Sequence, residues 1–111
     1  MPIGVARQVI IDSAETRFTL YTLEPGSGIP WHFHSRVSDW YICQEGELTV
    51  ATHSPDSSVI LTAGGMANVP AGTVHRTVNN GEAICRFALV QGTGAYDFHT
   101  VDVTSEALVR R

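Results

Sequence analysis

Residues 26–46 read GSGIPWHFHSRVSDWYICQEG and contain the pair His32 and His34. Successive side chains of a β-strand point to opposite faces, so two histidines separated by one residue project from the same face and can share a metal ion. Asp39 follows after a short polar gap, just before an apolar, strand-like run. A buried carboxylate there would need a partner. Two imidazoles and a carboxylate suit iron, manganese, nickel or zinc and leave coordination positions open.

A second stretch, residues 64–79, reads GGMANVPAGTVHRTVN and places His75 after a Pro-Ala-Gly turn. Proline fixes φ on entering such a turn, and glycine tolerates a positive φ on leaving it. The turn therefore sets His75 rigidly near the start of a new strand. This is a means of placing a distant ligand at the same metal site.

Together these two stretches resemble the two motifs of the cupin superfamily. The first motif is glycine, five residues, His-x-His, three or four residues, glutamate, six residues, glycine; residues 26–46 match each spacing, with aspartate in place of glutamate. The second motif is glycine, five residues, Pro-x-Gly, two residues, histidine, three residues, asparagine, and residues 64–79 match it throughout. The resemblance implies a metal site formed by His32, His34, Asp39 and His75.

The resemblance also implies one divalent transition metal per chain, with iron, manganese, nickel and zinc as the candidates. Asp39 departs from the glutamate of the motif, and its side chain is one methylene shorter. Two roles stay open for it. It either binds the ion directly or forms a hydrogen bond to one of the ligand histidines.

The rest of the chain has the pattern of an all-β protein. Short strand-like runs are separated by glycine and proline, and no long segment has helical periodicity. This pattern favours a sandwich or barrel, and cupins belong to the jelly-roll type, a double-stranded β-helix. Strands are predicted at 5–11, 17–23, 40–44, 47–52, 59–62, 66–69, 74–78, 83–91 and 96–103. The tail from Ser105 is predicted to be one helical turn or frayed.

Length and composition limit the classes of function. A chain of 111 residues is expected to be a single cupin domain, 1–111, with a net charge of −4. All seven basic residues are arginine, and only the last two are adjacent, which argues against a nucleic-acid partner. No apolar stretch is long enough to span a membrane, and the N-terminus given lacks the charged segment followed by an apolar segment that is typical of a secretion signal. We therefore expect a cytoplasmic protein in which Cys43 and Cys85 are buried, reduced thiols.

Strand phase predicts a substrate pocket beside the metal. If Asp39 faces inward, Tyr41 and Cys43 do so as well, and an inward Phe87 and Gln91 leave the neighbouring arginine outside. The predicted pocket residues are Tyr41, Cys43, Phe87 and Gln91, with Tyr41 as the candidate catalytic group. Ordinary core or rim packing is the alternative for these side chains.

The two remaining histidines are not expected to bind the metal. His53 lies in a polar hairpin region and is predicted to be at the surface. His99 is predicted to be an edge or interface residue of the last strand. The N-terminal segment 3–11 is β-prone, and Trp40 and Ile42 are expected to face outward. These features predict a homodimer formed through the outer sheets, and the resemblance implies the same, because small cupins are similar in pairing through such sheets. Packing of Trp40 and Ile42 beneath the N-terminal strands of the same chain is the alternative.

The resemblance leaves function open, because cupins include metal-dependent dioxygenases, isomerases and lyases as well as ligand-binding and sensor modules. The first hypothesis is a small metalloenzyme acting on a small organic substrate. In it the ion polarises an oxygen of the substrate or activates dioxygen while the apolar wall excludes water. The second hypothesis is a non-catalytic module in which the metal orients a carboxylate or enolate ligand.

Overall fold

The computed structural model describes residues 2–103 and contains ten β-strands and no helix in this range. The strands are β1 (Val5–Asp12), β2 (Thr16–Leu23), β3 (Gly28–Phe33), β4 (Ser38–Glu45), β5 (Leu48–His53), β6 (Ser57–Leu61), β7 (Met66–Val69), β8 (Val74–Val78), β9 (Cys85–Gly92) and β10 (His99–Thr100). None of the described segments forms a helix that could cross a membrane. The all-β class predicted from the sequence is confirmed.

The strands form two antiparallel sheets of five. Sheet A has the order β1-β2-β9-β4-β7, and sheet B has the order β10-β3-β8-β5-β6. From β2 onwards the chain passes back and forth between the sheets, with only the β5–β6 hairpin staying within one. This two-layer arrangement is the predicted jelly roll.

The inner face of sheet A carries three successive cross-strand rows. One row joins Tyr21, Phe87 and Cys43; the next joins Thr19, Leu89 and Tyr41; the third joins Arg17, Gln91 and Asp39. The first two rows are mainly apolar, and most of their side chains belong to the hydrophobic core. The third row is polar and reaches the histidines of sheet B. The core therefore changes from apolar to polar along a single sheet face.

The predicted alternation of β4 and β9 is confirmed. Tyr41 and Cys43 are buried with Asp39, and Phe87 and Gln91 are buried while Arg86 is exposed and paired with Glu45. Cys43 and Cys85 are both buried free thiols, as expected from the sequence. Burial raises the pKa of Cys85 to about 12, so its thiol stays protonated. Neither cysteine is placed as a reactive nucleophile.

The turn between β4 and β5 was predicted to be a hairpin, but it joins strands of different sheets, and it shows why the first motif ends in glycine. Gly46 has φ 75°, and a Cβ atom added there would overlap the carbonyl oxygen of Ile84. Only glycine accepts this conformation at such close backbone contact. The turn sends the chain from β4 in sheet A to β5 in sheet B.

The last predicted strand was wrong for most of its length. The sequence predicted a strand over 96–103, but β10 contains only His99 and Thr100, and residues 93–98 form a loop. This covering loop is pulled across the end of the barrel because Asp97 accepts a hydrogen bond from the backbone N–H of Ser35, at 2.7 Å. Gly94 packs so closely that an added Cβ would lie 2.9 Å from the Arg36 carbonyl oxygen. The tail predicted from Ser105 lies outside the described residues.

Candidate metal centre

Four side chains from both sheets meet at the polar end of the barrel. His32 lies in β3, His34 just beyond its end, and His75 in β8, where it pairs with His32 across the sheet. Asp39 reaches them from β4 in sheet A. All four are buried, and one donor atom from each lies within 4.8 Å of the others. The four residues that the sequence motifs predicted are therefore brought together as a group that could hold a metal ion.

Each histidine ring is oriented by a backbone carbonyl. The Nδ1 atom of His32 is 2.7 Å from the carbonyl oxygen of Pro30, and that of His75 is 2.8 Å from the carbonyl oxygen of Thr73. The Nδ1 atom of His34 is 2.6 Å from the carbonyl oxygen of Asp97. A carbonyl only accepts, so Nδ1 carries the hydrogen in each ring and a neutral imidazole has its lone pair on Nε2.

The carboxylate of Asp39 is held by two polar partners. The hydroxyl of Tyr41 donates to Oδ2 over 2.8 Å, and the side-chain amide of Gln91 donates to Oδ1 over 2.9 Å. Oδ2 also lies 2.9 Å from Nε2 of His75 and 3.3 Å from Nε2 of His34. Asp39 is thus fixed with one oxygen directed at the imidazoles.

The contact between Asp39 and His75 indicates that the site needs an additional positive charge. Both nitrogens of the His75 ring face acceptors: the Thr73 carbonyl oxygen at Nδ1 and the Asp39 carboxylate at Nε2. A neutral imidazole has only one N–H, so one of these contacts needs a further positive charge. That charge is either a second proton on the ring or a cation bound between Nε2 and Oδ2.

Two of the separations between donor atoms fit ligands that share one metal ion. Two ligands about 2.1 Å from one ion are about 3.0 Å apart at a right angle and about 3.4 Å apart in a tetrahedron. The distances of 2.9 Å and 3.3 Å from Asp39 Oδ2 to the two Nε2 atoms match these separations. Three imidazole nitrogens and one carboxylate oxygen suit iron, manganese, nickel or zinc. The direct role for Asp39 therefore fits the geometry.

The pKa shifts reflect the same arrangement. Burial, together with the neighbouring His75, lowers the pKa of His32 to about 4. Burial would also lower the pKa of His34, but its hydrogen bond to Asp39 and the charge of that carboxylate raise it above 6.5. Burial opposes ionisation of Asp39, yet the hydrogen bonds from His34 and His75 lower its pKa far below the usual value. At neutral pH the group therefore holds an ionised carboxylate among imidazoles.

Tyr41 remains protonated in this environment. Burial and the adjacent negative charge of Asp39 raise its pKa well above 10. Its hydroxyl hydrogen is directed to Asp39 Oδ2. The contact supports a role in orienting the carboxylate, and the catalytic role predicted for Tyr41 stays a prediction.

A cavity of about 310 Å³ opens onto His32 and His34. Its wall is mostly apolar or aromatic and contains one cation and no carboxylate. The lining residues other than the histidines are Pro2, Arg7, Tyr21, Ile29, Pro30, Tyr41, Leu89, Gln91, Tyr96 and Phe98. Of the four pocket residues predicted from strand phase, Tyr41 and Gln91 lie in this wall. Cys43 and Phe87 lie deeper, in the hydrophobic core.

Sequence reasoning missed the covering loop. Asp97 provides the carbonyl that orients His34, and hydrogen bonds from Ser35 to its carboxylate hold the pKa of Asp97 at about 2. The ring of Phe98 stacks on His32 with centroids 4.5 Å apart. The aromatic residues after the glycines at 92 and 94 were the available signal. Such aromatic residues are as typical of a loop that folds over a site as they are of a strand.

The two remaining histidines lie outside the group of four. His99 is an exposed residue of the edge strand β10, where it stacks on Phe33 and contacts the carboxylate of Asp97. This confirms its assignment as an edge residue. His53 is partly exposed, beside Asp56 and Trp31. Within residues 2–103 the four predicted ligands form the only such cluster.

Several solved structures share this fold. A conserved protein with a double-stranded β-helix domain from Klebsiella pneumoniae subsp. pneumoniae MGH 78578 is 23% identical, with a TM-score of 0.80 over 91% of this chain and 87% of that chain. A recombinant oxalate oxidase in complex with glycolate is 18% identical, with a TM-score of 0.78 over 99% and 66%. The protein KdgF from Halomonas sp. is 16% identical, with a TM-score of 0.73 over 82% of each chain.

Family assignment comes from the sequence match. No curated protein matched this chain. The model of the cupin domain matches residues 19–91, which is more than half of the chain and includes all four clustered side chains. The motif spacings, the two-sheet barrel and this match agree, and the chain belongs to the cupin family.

Proposed function

We propose that this chain, as a single cupin domain, is a metal-dependent enzyme acting on a small organic substrate. It binds one divalent transition ion, iron, manganese, nickel or zinc, through His32, His34, Asp39 and His75. The reaction is of the dioxygenase, isomerase or lyase type. The observation that carries the proposal is the convergence of three oriented imidazoles and one carboxylate oxygen beside a cavity that His32 and His34 line.

The cavity wall explains why the metal is central to this proposal. Apart from the histidines, the polar side chains of the lining are three tyrosines, a glutamine and an arginine. The lining contains no carboxylate or lysine that could serve as a general acid or base. A bound ion supplies Lewis acidity or a redox centre at an open coordination position. The protein's own part is to orient the ligands, through Gln91 and Tyr41 at Asp39, and to exclude water with Ile29, Leu89 and Phe98.

The size of the cavity supports a small substrate. About 310 Å³ is at the lower end of the range for ligand pockets. The oxalate oxidase with the same fold holds glycolate, a two-carbon hydroxy acid. Small organic acids are therefore the first compounds to test.

Reconstitution and turnover test the proposal together. Metal-free protein would be loaded with each of the four metals, and oxygen uptake and product formation would be followed with a panel of small organic acids. We expect turnover with at least one metal and none in the His75→Ala variant. Full metal loading without turnover of any compound would favour the non-catalytic binding module, and failure to load any metal would contradict both.

We also propose that the chain forms a homodimer through the outer face of sheet A. Two cross-strand rows on this face are largely apolar: Ile11, Phe18, Val90 and Trp40 in one, and Leu20, Ala88, Ile42 and Met66 in the other. Met66 is 59% exposed and Trp40 is 46% exposed. A continuous apolar sheet face of this kind is better covered by a second copy than left in water.

Light scattering would test the dimer. We expect twice the 12.0 kDa chain mass for the parent. The Met66→Glu variant should shift towards the monomer, whereas Ile60→Glu, at a similarly exposed residue of sheet B, should not. A monomeric parent at micromolar concentration would contradict the proposal.

Two free thiols support a cytoplasmic location, which cell fractionation would check.

A further inference from the structure

The cavity wall carries further polar side chains besides the histidines. Arg7 in β1 pairs with Tyr21 in β2, and both side chains line the cavity. Tyr96 of the covering loop lines it as well. These three residues offer a guanidinium and two phenol hydroxyls to the same cavity that His32 and His34 line. The Tyr96 ring lies 5.4 Å from that of His34, centroid to centroid.

Arg7 is the unpaired cation of this region. Arg17, the nearby arginine, is already engaged: its guanidinium lies over the Tyr96 ring, 4.3 Å from the centroid, and 3.6 Å from the carboxylate of Asp12. Arg7 forms no ion pair with any carboxylate in residues 2–103, and the lining of the cavity contains no carboxylate. Its positive charge is therefore available to a ligand.

The two phenols are also without protein partners. Neither the Tyr21 hydroxyl nor the Tyr96 hydroxyl donates to another described side chain, although Tyr21 is only 8% exposed. Protonated phenols next to a cation are hydrogen-bond donors for an anion.

We propose that Arg7, Tyr21 and Tyr96 form an anion subsite that selects substrates carrying a carboxylate in addition to the group bound at the histidines. This inference rests on the proposed function and adds the substrate class. The ligand is a small, two-ended organic acid with an oxygen-bearing group at the histidines and a carboxylate at Arg7. Between them lies a short apolar linker, in contact with Ile29, Leu89 and Phe98.

The geometry favours a carboxylate over a neutral polar group. A guanidinium binds a carboxylate with two parallel hydrogen bonds, and hydrogen bonds between charged partners are about twice as strong as neutral ones. The remaining wall is apolar, which lowers the local polarity and strengthens the interaction. A cationic ligand end would lie against Arg7 and be repelled.

The test compares linear dicarboxylates, from succinate to pimelate, with their mono-amides. Binding to the metal-free and the zinc-loaded protein would be followed by NMR and calorimetry. We expect at least one dicarboxylate to bind about 10-fold or more tightly than its mono-amide. Arg7→Gln should weaken that dicarboxylate by a similar factor and remove the preference, and Arg7→Lys should retain part of it.

Two further variants provide controls. Arg86→Gln makes the same charge change on an exposed residue of sheet A outside this cavity and should leave binding unchanged. Tyr96→Phe keeps the ring under Arg17, removes the hydroxyl and should weaken the dicarboxylate several-fold. Metal content would be measured for every variant and should stay that of the parent, because none of the changed residues belongs to the cluster of four.

The outcomes separate this inference from the proposed function. If the parent takes up no metal, the proposed function fails, but an Arg7-dependent preference in the metal-free protein still supports the subsite. If metal is taken up and Arg7→Gln binds like the parent, only the subsite is overturned. Equal affinity for each dicarboxylate and its mono-amide, or no binding of any dicarboxylate at millimolar concentration, also overturns it.

Discussion

The two ends of the barrel interior are equally buried but differ in how their polar atoms are satisfied. At one end Leu23 and Cys85 are completely buried, and the thiol of Cys43 approaches the carbonyl oxygens of Glu45 and Gly46 at 3.7 and 3.6 Å. At the other end Asp39 is equally buried, yet its carboxylate faces imidazole nitrogens. Burial alone therefore does not identify the site.

The difference lies in what each end lacks. The apolar end needs no bound ion or ligand, because its hydrocarbon and sulfur groups are stabilised by packing against one another. At the polar end the protein arranges three Nε2 atoms around one carboxylate oxygen and so leaves a place for positive charge. Changes at the apolar end should affect stability alone, and changes at the polar end should affect metal binding.

The largest effect is expected from removing a ligand at the polar end. His34→Ala deletes one of the three convergent nitrogens, so we expect loss of stoichiometric metal uptake. The affinity should fall by more than the roughly 10- to 100-fold that is typical for residues that only support a ligand. Elemental analysis and metal titration of the purified variant measure this, and full occupancy would contradict the assignment.

Its counterpart is Leu23→Ala at the apolar end. This change removes a completely buried side chain and should lower the free energy of unfolding by about 2–5 kcal/mol. Metal stoichiometry of the folded protein should stay that of the parent. Denaturant unfolding and elemental analysis of the same sample measure both quantities. A loss of metal in folded Leu23→Ala would remove the distinction between the two ends.

Asp39→Ala distinguishes the two roles that the sequence left open for this residue. Because the distances from Oδ2 to the His34 and His75 nitrogens match those between ligands of one ion, we expect a loss of more than about 100-fold in metal affinity. A loss of about 10- to 100-fold would assign Asp39 to orienting the histidines. Competition titration of the metal-free proteins decides between them, and an unchanged affinity would remove Asp39 from the site.

A smaller effect is expected for Tyr41→Phe. This variant keeps the buried ring and removes the hydroxyl that donates to Asp39 Oδ2. Loss of one hydrogen bond to a charged group should weaken metal binding by about 10-fold or more without changing the stoichiometry. Titration as for Asp39→Ala measures it. Abolished turnover with unchanged metal affinity would instead support the catalytic role predicted for Tyr41.

The smallest effect concerns pH near neutrality. In the metal-free protein Asp39 raises the pKa of His34 above 6.5, so a proton competes with the metal for this ring. Metal affinity should fall as pH falls through that raised pKa, whereas His32, with a pKa of about 4, competes only in stronger acid. In Asp39→Asn the first decline should move to lower pH, since the negative charge is gone. Titrations between pH 5 and 8 with a fixed buffer series test this, and an unshifted decline would contradict it.

The four clustered residues could be predicted because their spacing is local. Each of the two motifs sets strand phase and turn position within about twenty residues, and the ring orientation of His32 and His75 is set by carbonyls only two residues away. The carbonyl that orients His34 belongs to Asp97, 63 residues further along the chain. No local pattern indicates such a contact, so the covering loop was predicted as a strand.

The predicted pocket shows the same limit. Alternation along a strand identifies the face on which a side chain lies, and Tyr41, Cys43, Phe87 and Gln91 are all buried on the inner face of sheet A. It does not identify the distance from the metal. Cys43 and Phe87 share a cross-strand row two rows away from the one that contains Asp39 and Gln91, and both belong to the hydrophobic core.

X-ray absorption spectroscopy of the metal-loaded protein tests the central claim most directly, because it counts the ligands around the ion. If His32, His34 and His75 bind the ion through Nε2, the spectrum should contain three imidazoles at about 2.0–2.1 Å with oxygen completing the shell, and one imidazole should disappear in His34→Ala. A parent spectrum with fewer than three imidazoles, or with sulfur in the shell, would contradict the account.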